Sequence, residues 1–484
     1  MINFRPIINI IGVLLAIIGL MMLSSLAFSF YFKSGDESAL LFAGLLTSSI
    51  GLISWYFTKG ERGKRINKRE GYLVVALGWL TMSIFGMLPY LFSGVIPNLT
   101  DAMFETVSGL TTTGASVLND IESIPKGILF WRSMTQWIGG MGIIVLTVAI
   151  FPLLGIGGIE LFVAESPGPT SDKIHPRIKE TAKRLWMIYV ALTAVLTVIL
   201  SFAGMTFYDA INHAMTTMST GGFSTKNDSI AHFNSPLIQY PIIFFMFLAG
   251  TNFTIIYFSL KGKFKKVWQS DEFRAYLTVV VILVLLVSYA VYNLGGTAFE
   301  QSFRNSAFQV VSVITTTGFV TADYTAWTPG LTMFFFILMF VGASAGSTSG
   351  GIKVVRHLVF FKNSLLEFKR LLHPRAIIRI KIDRQIVAPR ILTHILVFLL
   401  IYLILFVIGS IIVTMMGMDF ISAVGAVATS LGNVGPGIGS VGPLDNFAEI
   451  PLSAKWFLCF LMLLGRLELF TILILFTPSF WKSN

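Results

Sequence analysis

The sequence predicts an all-α integral membrane protein of ten transmembrane helices: two N-terminal spans, then four helix–re-entrant loop–helix repeats about a pseudo-fourfold axis. Three observations carry this expectation: the hydropathy of the chain, the placement of its basic residues, and a Ser/Thr/Gly turn that recurs at equivalent points.

Of 484 residues, 55% are hydrophobic and only 12% charged, far too little charge to cover the surface of a water-soluble chain. Runs of about 20 apolar residues recur from end to end, the length that crosses a hydrocarbon core of roughly 30 Å. The first run, Pro6 to about Tyr31, is too long for a signal-peptide core and lacks a cleavage site, so it is expected to be retained. The spans expected are about 7–32, 38–57, 72–93, 129–154, 184–205, 236–260, 275–295, 331–360, 391–416 and 456–477. They divide into an N-terminal pair (1–70) and four repeats (71–165, 166–262, 263–370 and 371–484).

The net charge of +11 does not point to nucleic acid, because the basic residues follow the spans. The links Lys59 to Arg69, Lys173 to Arg184, Lys261 to Arg274 and Lys353 to Arg390, with Arg5 and Lys482, hold 28 of the 35 Lys and Arg. Every second link is poor in them. That alternation is the positive-inside pattern, and it sets both termini and all four basic links in the cytoplasm. The last of them, long and basic, suits either lipid headgroups or a docked partner.

Four links on the opposite side are unusual: Ser93 to Ile128, Thr206 to Ser235, Gly296 to Gly330 and Gly417 to Lys455. Each opens with a stretch of about 11 helix-like residues, which rises roughly 16 Å and so reaches only half-way through a bilayer. Each then arrives at a turn rich in Ser, Thr and Gly. Phe104-Glu105-Thr106-Val107-Ser108-Gly109-Leu110-Thr111-Thr112-Thr113-Gly114 aligns without gaps on Phe308-Gln309-Val310-Val311-Ser312-Val313-Ile314-Thr315-Thr316-Thr317-Gly318. The second loop carries Met218-Ser219-Thr220-Gly221-Gly222-Phe223-Ser224-Thr225 and the fourth Thr429-Ser430-Leu431-Gly432-Asn433-Val434-Gly435-Pro436-Gly437. This is a repeat of one supersecondary unit.

Irregular backbone at membrane depth is tolerated only where protein or a water-lined conduit surrounds it. Four such turns around one axis would present rings of carbonyl oxygens to a dehydrated monovalent cation, the way a potassium filter replaces a hydration shell. The half-helices would point their negative C-terminal ends at it, and the Ser and Thr hydroxyls would add oxygens at the mouth. Ordinary Gly/Ser/Thr turns are the simpler explanation for one loop, but not for four at matching positions. The residues expected to line the filter are Thr111, Thr112, Thr113 and Gly114; Ser219, Thr220 and Gly221; Thr316, Thr317 and Gly318; and Asn433, Val434 and Gly435. In the fourth loop, spacing from Asp419 favours Gly432 and the Asn-Val-Gly-Pro-Gly pattern favours Gly435, which is preferred. Asp101, Asp209 and Asp419 stand near the half-helix starts, where helix capping is the expected role.

Two more features lie inside spans. Gly346, Ser347, Thr348, Ser349, Gly350 and Gly351 interrupt the eighth, either as a broken helix whose loop crosses and gates the conduit or as a small-residue packing face, since Gly342, Gly346 and Gly350 are four apart. Arg466 and Glu468 lie in the tenth, two residues apart and therefore not expected to pair. Arg466 either faces the conduit or snorkels to the nearby interface.

At the four loops the chain resembles the Trk/Ktr/HKT superfamily of potassium transporters. The likeness extends through Gln136-Trp137-Ile138-Gly139-Gly140-Met141-Gly142, Gly155-Ile156-Gly157-Gly158, Ala345-Gly346-Ser347-Thr348, Gly350-Gly351-Ile352-Lys353-Val354, His373-Pro374-Arg375-Ala376 and Gly465-Arg466-Leu467-Glu468. The resemblance implies a K⁺-channel-type fold repeated four times, with filter glycines at Gly114, Gly221, Gly318 and Gly435. It also implies an intramembrane gating loop over 346–351, Arg466 beneath the filter, K⁺ as the transported ion and no organic cofactor. It further implies a homodimer in the bacterial inner membrane with a cytoplasmic TrkA-type nucleotide-binding regulatory ring. Sodium-preferring relatives carry serine at the first filter glycine, whereas Gly114 is retained here.

Two other classes fit less well. A Na⁺- or H⁺-coupled symporter usually shows inverted repeats and midplane carboxylates, while these repeats run in one direction. A membrane enzyme needs a nucleophile with its base or a metal cluster. Cys459 is alone, the six histidines have no ligand spacing, and His213 near Thr220 has no third group to orient it.

Overall fold

The computed structural model describes residues 2–61, 67–145, 174–295, 298–376 and 378–482. The end of the fourth expected span, the Gly155–Gly158 stretch and Lys173 lie outside them.

The two N-terminal spans, Phe4–Phe32 (broken at Ser25) and Glu37–Phe57, pack through small residues. A Cβ built on Gly19 would lie 2.2 Å from the Ser48 hydroxyl and one on Gly51 2.4 Å from the Ala16 nitrogen, so the two backbones touch. After them the chain makes four repeats. Their re-entrant half-helices are Leu99–Leu110, Phe207–Met218, Phe299–Ile314 and Phe420–Gly432. At 12 to 16 residues these helices are too short to cross a bilayer.

Burial places the half-helices at the centre. Ala102 to Leu110, Asn212 to Met218, Ser306 to Ile314 and Gly425 to Gly432 are buried on every side, polar residues included. Two long apolar helices show the opposite: Asp271–Asn293 and Pro389–Met415 bury only 28% of their apolar windows and offer the rest to lipid. One hydrophobic core joins the first and fourth repeats with the N-terminal spans, and a second joins the middle two repeats.

The half-helix starts differ from expectation in one respect. Asp419 is itself an N-cap, accepting from the Ser422 N–H at 3.0 Å, and hydrogen bonds from Ser422 hold its carboxyl below the usual range. In the first half-helix the cap is Asn98, and in the second it is Thr206. Asp101 instead pairs with buried Lys455 at 2.6 Å. Asp209 completes a reciprocal cap with Thr206 and accepts from Thr225 at 2.7 Å.

The described residues do not by themselves fix the count of ten spans. Six helices are long and apolar enough to cross. The sixth and tenth expected spans are bent pairs, Pro236–Ala249 with Phe253–Leu260 at 109° and Leu452–Arg466 with Leu469–Phe476 at 117°. The eighth stops after Pro329–Leu338, runs non-helically through residues 339–353, and resumes as Val354–Leu372. The break in the eighth falls where Gly346 to Gly351 interrupt the sequence, whereas the bent pairs still average as apolar windows, so mean hydropathy does not reveal their bends.

Candidate functional site: a ring of four turns

All four half-helices end in the same way. The N–H groups of Thr113, Gly221, Thr317 and Val434 donate to the carbonyls of Ser108, Thr216, Ser312 and Thr429, at 2.8–3.0 Å. Between donor and acceptor lies one non-glycine residue in the left-handed region: Thr112 (φ 53°), Thr220 (54°), Thr316 (56°) and Asn433 (53°). Such a conformation costs about 1–2 kcal/mol per residue, and surrounding packing must hold it. Two residues on, a glycine with positive φ turns the chain outward: Gly114 (86°), Gly222 (78°), Gly318 (77°) and Gly435 (105°).

These glycines also close the ring. A Cβ on Gly114 would lie 2.2 Å from the Gly221 carbonyl oxygen, one on Gly222 1.9 Å from that of Thr317, one on Gly318 2.2 Å from that of Val434, and one on Gly435 2.8 Å from that of Thr113. Each turn therefore abuts the next in the order one, two, three, four and back to one. No side chain fits between them.

The backbone corrects one register. Gly222, not Gly221, is the counterpart of Gly114, Gly318 and Gly435, and Gly221 matches Thr113, Thr317 and Val434. The left-handed residue sets the frame, and in the second loop that residue is Thr220. The match of Gly222-Phe223-Ser224-Thr225 to Gly318-Phe319-Val320-Thr321 is the signal in the sequence that carries this register. In the fourth loop the left-handed pair is Asn433 and Gly435, while Gly432 is the last helical residue.

Most side-chain oxygens of the turns are engaged by protein. Thr111 and Thr113 share a hydrogen bond at 2.7 Å, and Thr315 and Thr317 do so at 2.8 Å. Thr113 also accepts from Asn433 Nδ2 at 2.9 Å, Thr220 donates to the Ser219 carbonyl, and Thr316 Oγ1 accepts from the Gly350 N–H at 2.7 Å. Thr112 Oγ1 and Asn433 Oδ1 are buried without a partner. Beside the main-chain carbonyls, Thr112 and Asn433 thus hold side-chain oxygens that no protein group engages.

Behind the ring stands the helix Lys126–Val145. Gln136 grips the second loop on both sides of Gly222, donating to the Gly221 carbonyl at 2.7 Å and accepting from the Phe223 N–H at 3.0 Å. The sequence places Gln136 at the head of a Gly-rich motif but gives no sign of this role. The glycines that follow allow close approach: a Cβ on Gly139 would lie 1.8 Å from the Leu110 carbonyl oxygen.

In the first three loops the residue seven before the left-handed position braces the outgoing segment. Glu105 accepts from Ser116 Oγ and the Val117 N–H, His213 Nε2 bonds Ser224 Oγ at 2.9 Å, and Gln309 faces Thr321 at 3.5 Å. In the fourth loop Ala426 takes this place; beside it Gly425 and Gly437 pack backbone to backbone. His213 is thus a strut whose other nitrogen meets the Asp209 carbonyl. Glu105 also forms a fully buried ion pair with Arg132 at 2.6 Å, and Arg132 donates to the Ser224 carbonyl and stacks on Phe223 at 3.6 Å. Removing one member of such a pair strands a buried charge at a cost of about 3–5 kcal/mol. Arg132→Met is therefore expected to lower the melting temperature of the purified protein sharply, with Glu105→Gln in the same chain restoring part of the loss.

Below the ring runs the 339–353 segment. It is not a packed helix: Gly342, Gly346 and Gly350 lie on extended and turning chain, and Val341 bridges Ile352. The Thr348 hydroxyl donates to the Met218 carbonyl at 3.0 Å, at the end of the second half-helix. Gly350 meets the third loop at Thr316 and packs on the Gly432 carbonyl of the fourth. The Gly346 carbonyl accepts from the Phe253 N–H at 3.1 Å, so the breaks in two spans satisfy one another. Ser347 and Ser349 share a hydrogen bond at 2.8 Å, and Lys353 reaches back to Ser349.

Arg466 ends its helix against this segment. It is 3% exposed and donates to the Thr348 carbonyl at 2.7 Å, while its Nε and Nη2 have no partner. Burial at this level leaves no route for snorkelling. Glu468, in a left-handed turn, pairs with Arg356 at 2.6 Å rather than with Arg466. A cleft lined by Ser347, Gly350, Lys353, Arg356, Arg466 and Glu468 opens there. Among the described residues no group of His, Cys, Asp and Glu is arranged to hold a metal ion, and Cys459 is a buried free thiol.

A family model described as TrkH, cation transport protein, matches residues 37–483. The Trk system potassium uptake protein TrkH of Salmonella typhimurium is 43% identical to the chain, covering 99% of it and 100% of the relative. The Trk system potassium uptake protein TrkG of Escherichia coli K12 is 35% identical, over 99% of this chain and 99% of that one. The crystal structure of the potassium transporter TrkH from Vibrio parahaemolyticus superposes with a TM-score of 0.91 at 38% identity, covering 99% of this chain and 100% of that one.

Proposed function

The chain belongs to the TrkH family of cation transport proteins, not to an enzyme family, and we propose that it carries potassium ions into the cell through the ring of four turns. The observation that carries the reading is the cyclic abutment of Gly114, Gly222, Gly318 and Gly435 on the carbonyls of the next loop. Four main-chain turns that close on themselves at membrane depth have carbonyls to offer and no room for side chains, the requirement for replacing the water of a large monovalent cation. The filter comprises Thr112, Thr113 and Gly114; Thr220, Gly221 and Gly222; Thr316, Thr317 and Gly318; and Asn433, Val434 and Gly435.

The 339–353 segment is the gate in this reading. Its bonds to Met218 and Thr316 support this, since a segment tied to the inner ends of two pore loops obstructs the path beneath them. Arg466 reinforces the block with a positive charge. The alternation of basic links supports cytoplasmic termini and residence in the inner membrane. The family supports a dimer, each subunit with its own pore, and a TrkA-type nucleotide-binding ring on the basic face.

Purified protein in liposomes, held at fixed voltage with valinomycin-free bilayers, separates this from coupled transport. Potassium current is expected to persist with no H⁺ or Na⁺ gradient present. Current that vanishes when that gradient alone is removed would establish a symporter instead.

A further inference from the structure

We propose that Glu272 is a positioning residue for gating: together with Asp271 it latches the intramembrane segment to a two-stranded hairpin on the cytoplasmic side, so that displacing the hairpin frees the segment. The inference rests on the reading of 339–353 as the gate.

Asp271 and Glu272 open the helix Asp271–Asn293, whose cap is Ser270. In sequence they look like ordinary acidic residues at a helix start, favourable there through the helix dipole. Their contacts go elsewhere. Glu272 is buried, and its Oε1 accepts from the N–H of Ala345, in the gate segment, at 2.6 Å. Its neighbour faces the hairpin of Lys381–Ile382 and Gln385–Ile386, whose two-residue turn, Asp383 and Arg384, has both φ values positive. Asp271 N–H donates to the Asp383 carboxylate at 2.5 Å, and Asp383 N–H donates back to Asp271 Oδ2 at 3.2 Å. Lys362 bonds the same Asp271 oxygen at 2.8 Å, which offsets the repulsion of the two carboxylates.

A second connection runs in parallel. Ala345 packs against a small apolar cluster that includes Ile380, Ile382 and Val387 of the hairpin and Val359 of the following helix. One residue of the gate is thus held by its N–H to Glu272 and packs on the apolar cluster that the hairpin shares with the following helix, while the two acidic neighbours tie helix and hairpin together. Arg384 and Ile386 of the hairpin are exposed, within reach of a partner. The geometry makes the hairpin a handle and Ala345 the point where it pulls.

The test uses the full chain in liposomes without any partner. A buried hydrogen bond of this kind, once lost, shifts a closed–open equilibrium by about tenfold. Glu272→Ala is therefore expected to raise potassium flux about tenfold with unit conductance and K⁺/Na⁺ preference unchanged, while Glu272→Gln, which keeps an acceptor oxygen, stays near the parent. Asp383→Ala is expected to raise flux less, and to add nothing to Glu272→Ala. Deleting Ser347–Ser349 serves as the control for the gate itself. If the deletion raises flux and Glu272→Ala does not, the latch is wrong; if the two single substitutions add, the hairpin is not part of it. If the deletion leaves flux unchanged, the gate reading fails and takes the latch with it. Should Glu272→Ala not fold, the pair Glu272→Cys and Ala345→Cys tests the same contact: oxidation is expected to suppress flux and reduction to restore it, and flux indifferent to both overturns the latch.

Discussion

Gly222→Ser is expected to reduce the K⁺/Na⁺ permeability ratio by at least about tenfold, the equivalent of some 1.4 kcal/mol between two ions, read as a shift in reversal potential across liposomes with mixed salts. Gly222 has a φ of 78°, and a Cβ on it would lie 1.9 Å from the Thr317 carbonyl oxygen, so any side chain drives the second loop away from the third. The carbonyl spacing around an ion then widens on one side. Gly318→Ser, with its Cβ 2.2 Å from the Val434 carbonyl oxygen, is expected to act similarly. Gly221→Ser is the informative contrast. Its φ is not in the left-handed region, and its Cβ would meet the Gln136 side chain, which can swing aside in part. A smaller loss there than at Gly222 supports the backbone register; the reverse order restores the register expected from sequence.

Arg466→Ala is expected to give the second large effect, a rise in potassium conductance. A unit charge about 8 Å from a permeating cation, at an effective dielectric of about 20, repels it by roughly 2 kcal/mol, or about 30-fold in occupancy. The same substitution removes the donor to the Thr348 carbonyl and so loosens the gate segment. Single-channel recording divides the two contributions: lost repulsion raises unit current, and a loosened segment raises open probability. Arg466→Lys keeps the charge without the planar fork and is expected to keep unit current low. Unit current unchanged in Arg466→Ala removes this residue from the ion path.

The parts legible in the sequence are those encoded locally. Loops one and three share seven of eleven aligned residues, Thr-Thr-Thr-Gly among them, and both have the same backbone. Loop four is readable through Asn433-Val434-Gly435. Loop two misleads because Gly221 and Gly222 offer two glycines for one left-handed slot; the match of Gly222-Phe223 to Gly318-Phe319 favours the second, and the left-handed Thr220 decides for it. Asn98 and Thr206 displace aspartates as caps because a cap is chosen by where the helix begins, and that is settled by packing. The breaks at Gly250–Asn252 and at Glu468 are hidden inside apolar runs, since hydropathy carries no record of which segment will accept a freed carbonyl. The supports of the ring are invisible for the same reason: Gln136 acts on residues 85 and 87 positions away, and Asp271 on one 112 away.

Anomalous diffraction from crystals grown in rubidium or thallium salt tests the ring most directly. Peaks are expected on one axis, inside the circle formed by the main-chain oxygens of Thr113, Gly221, Thr317 and Val434. Well-ordered turns with no peak among them, or peaks only at side-chain carboxylates elsewhere, would mean that these four loops do not bind the ion at all.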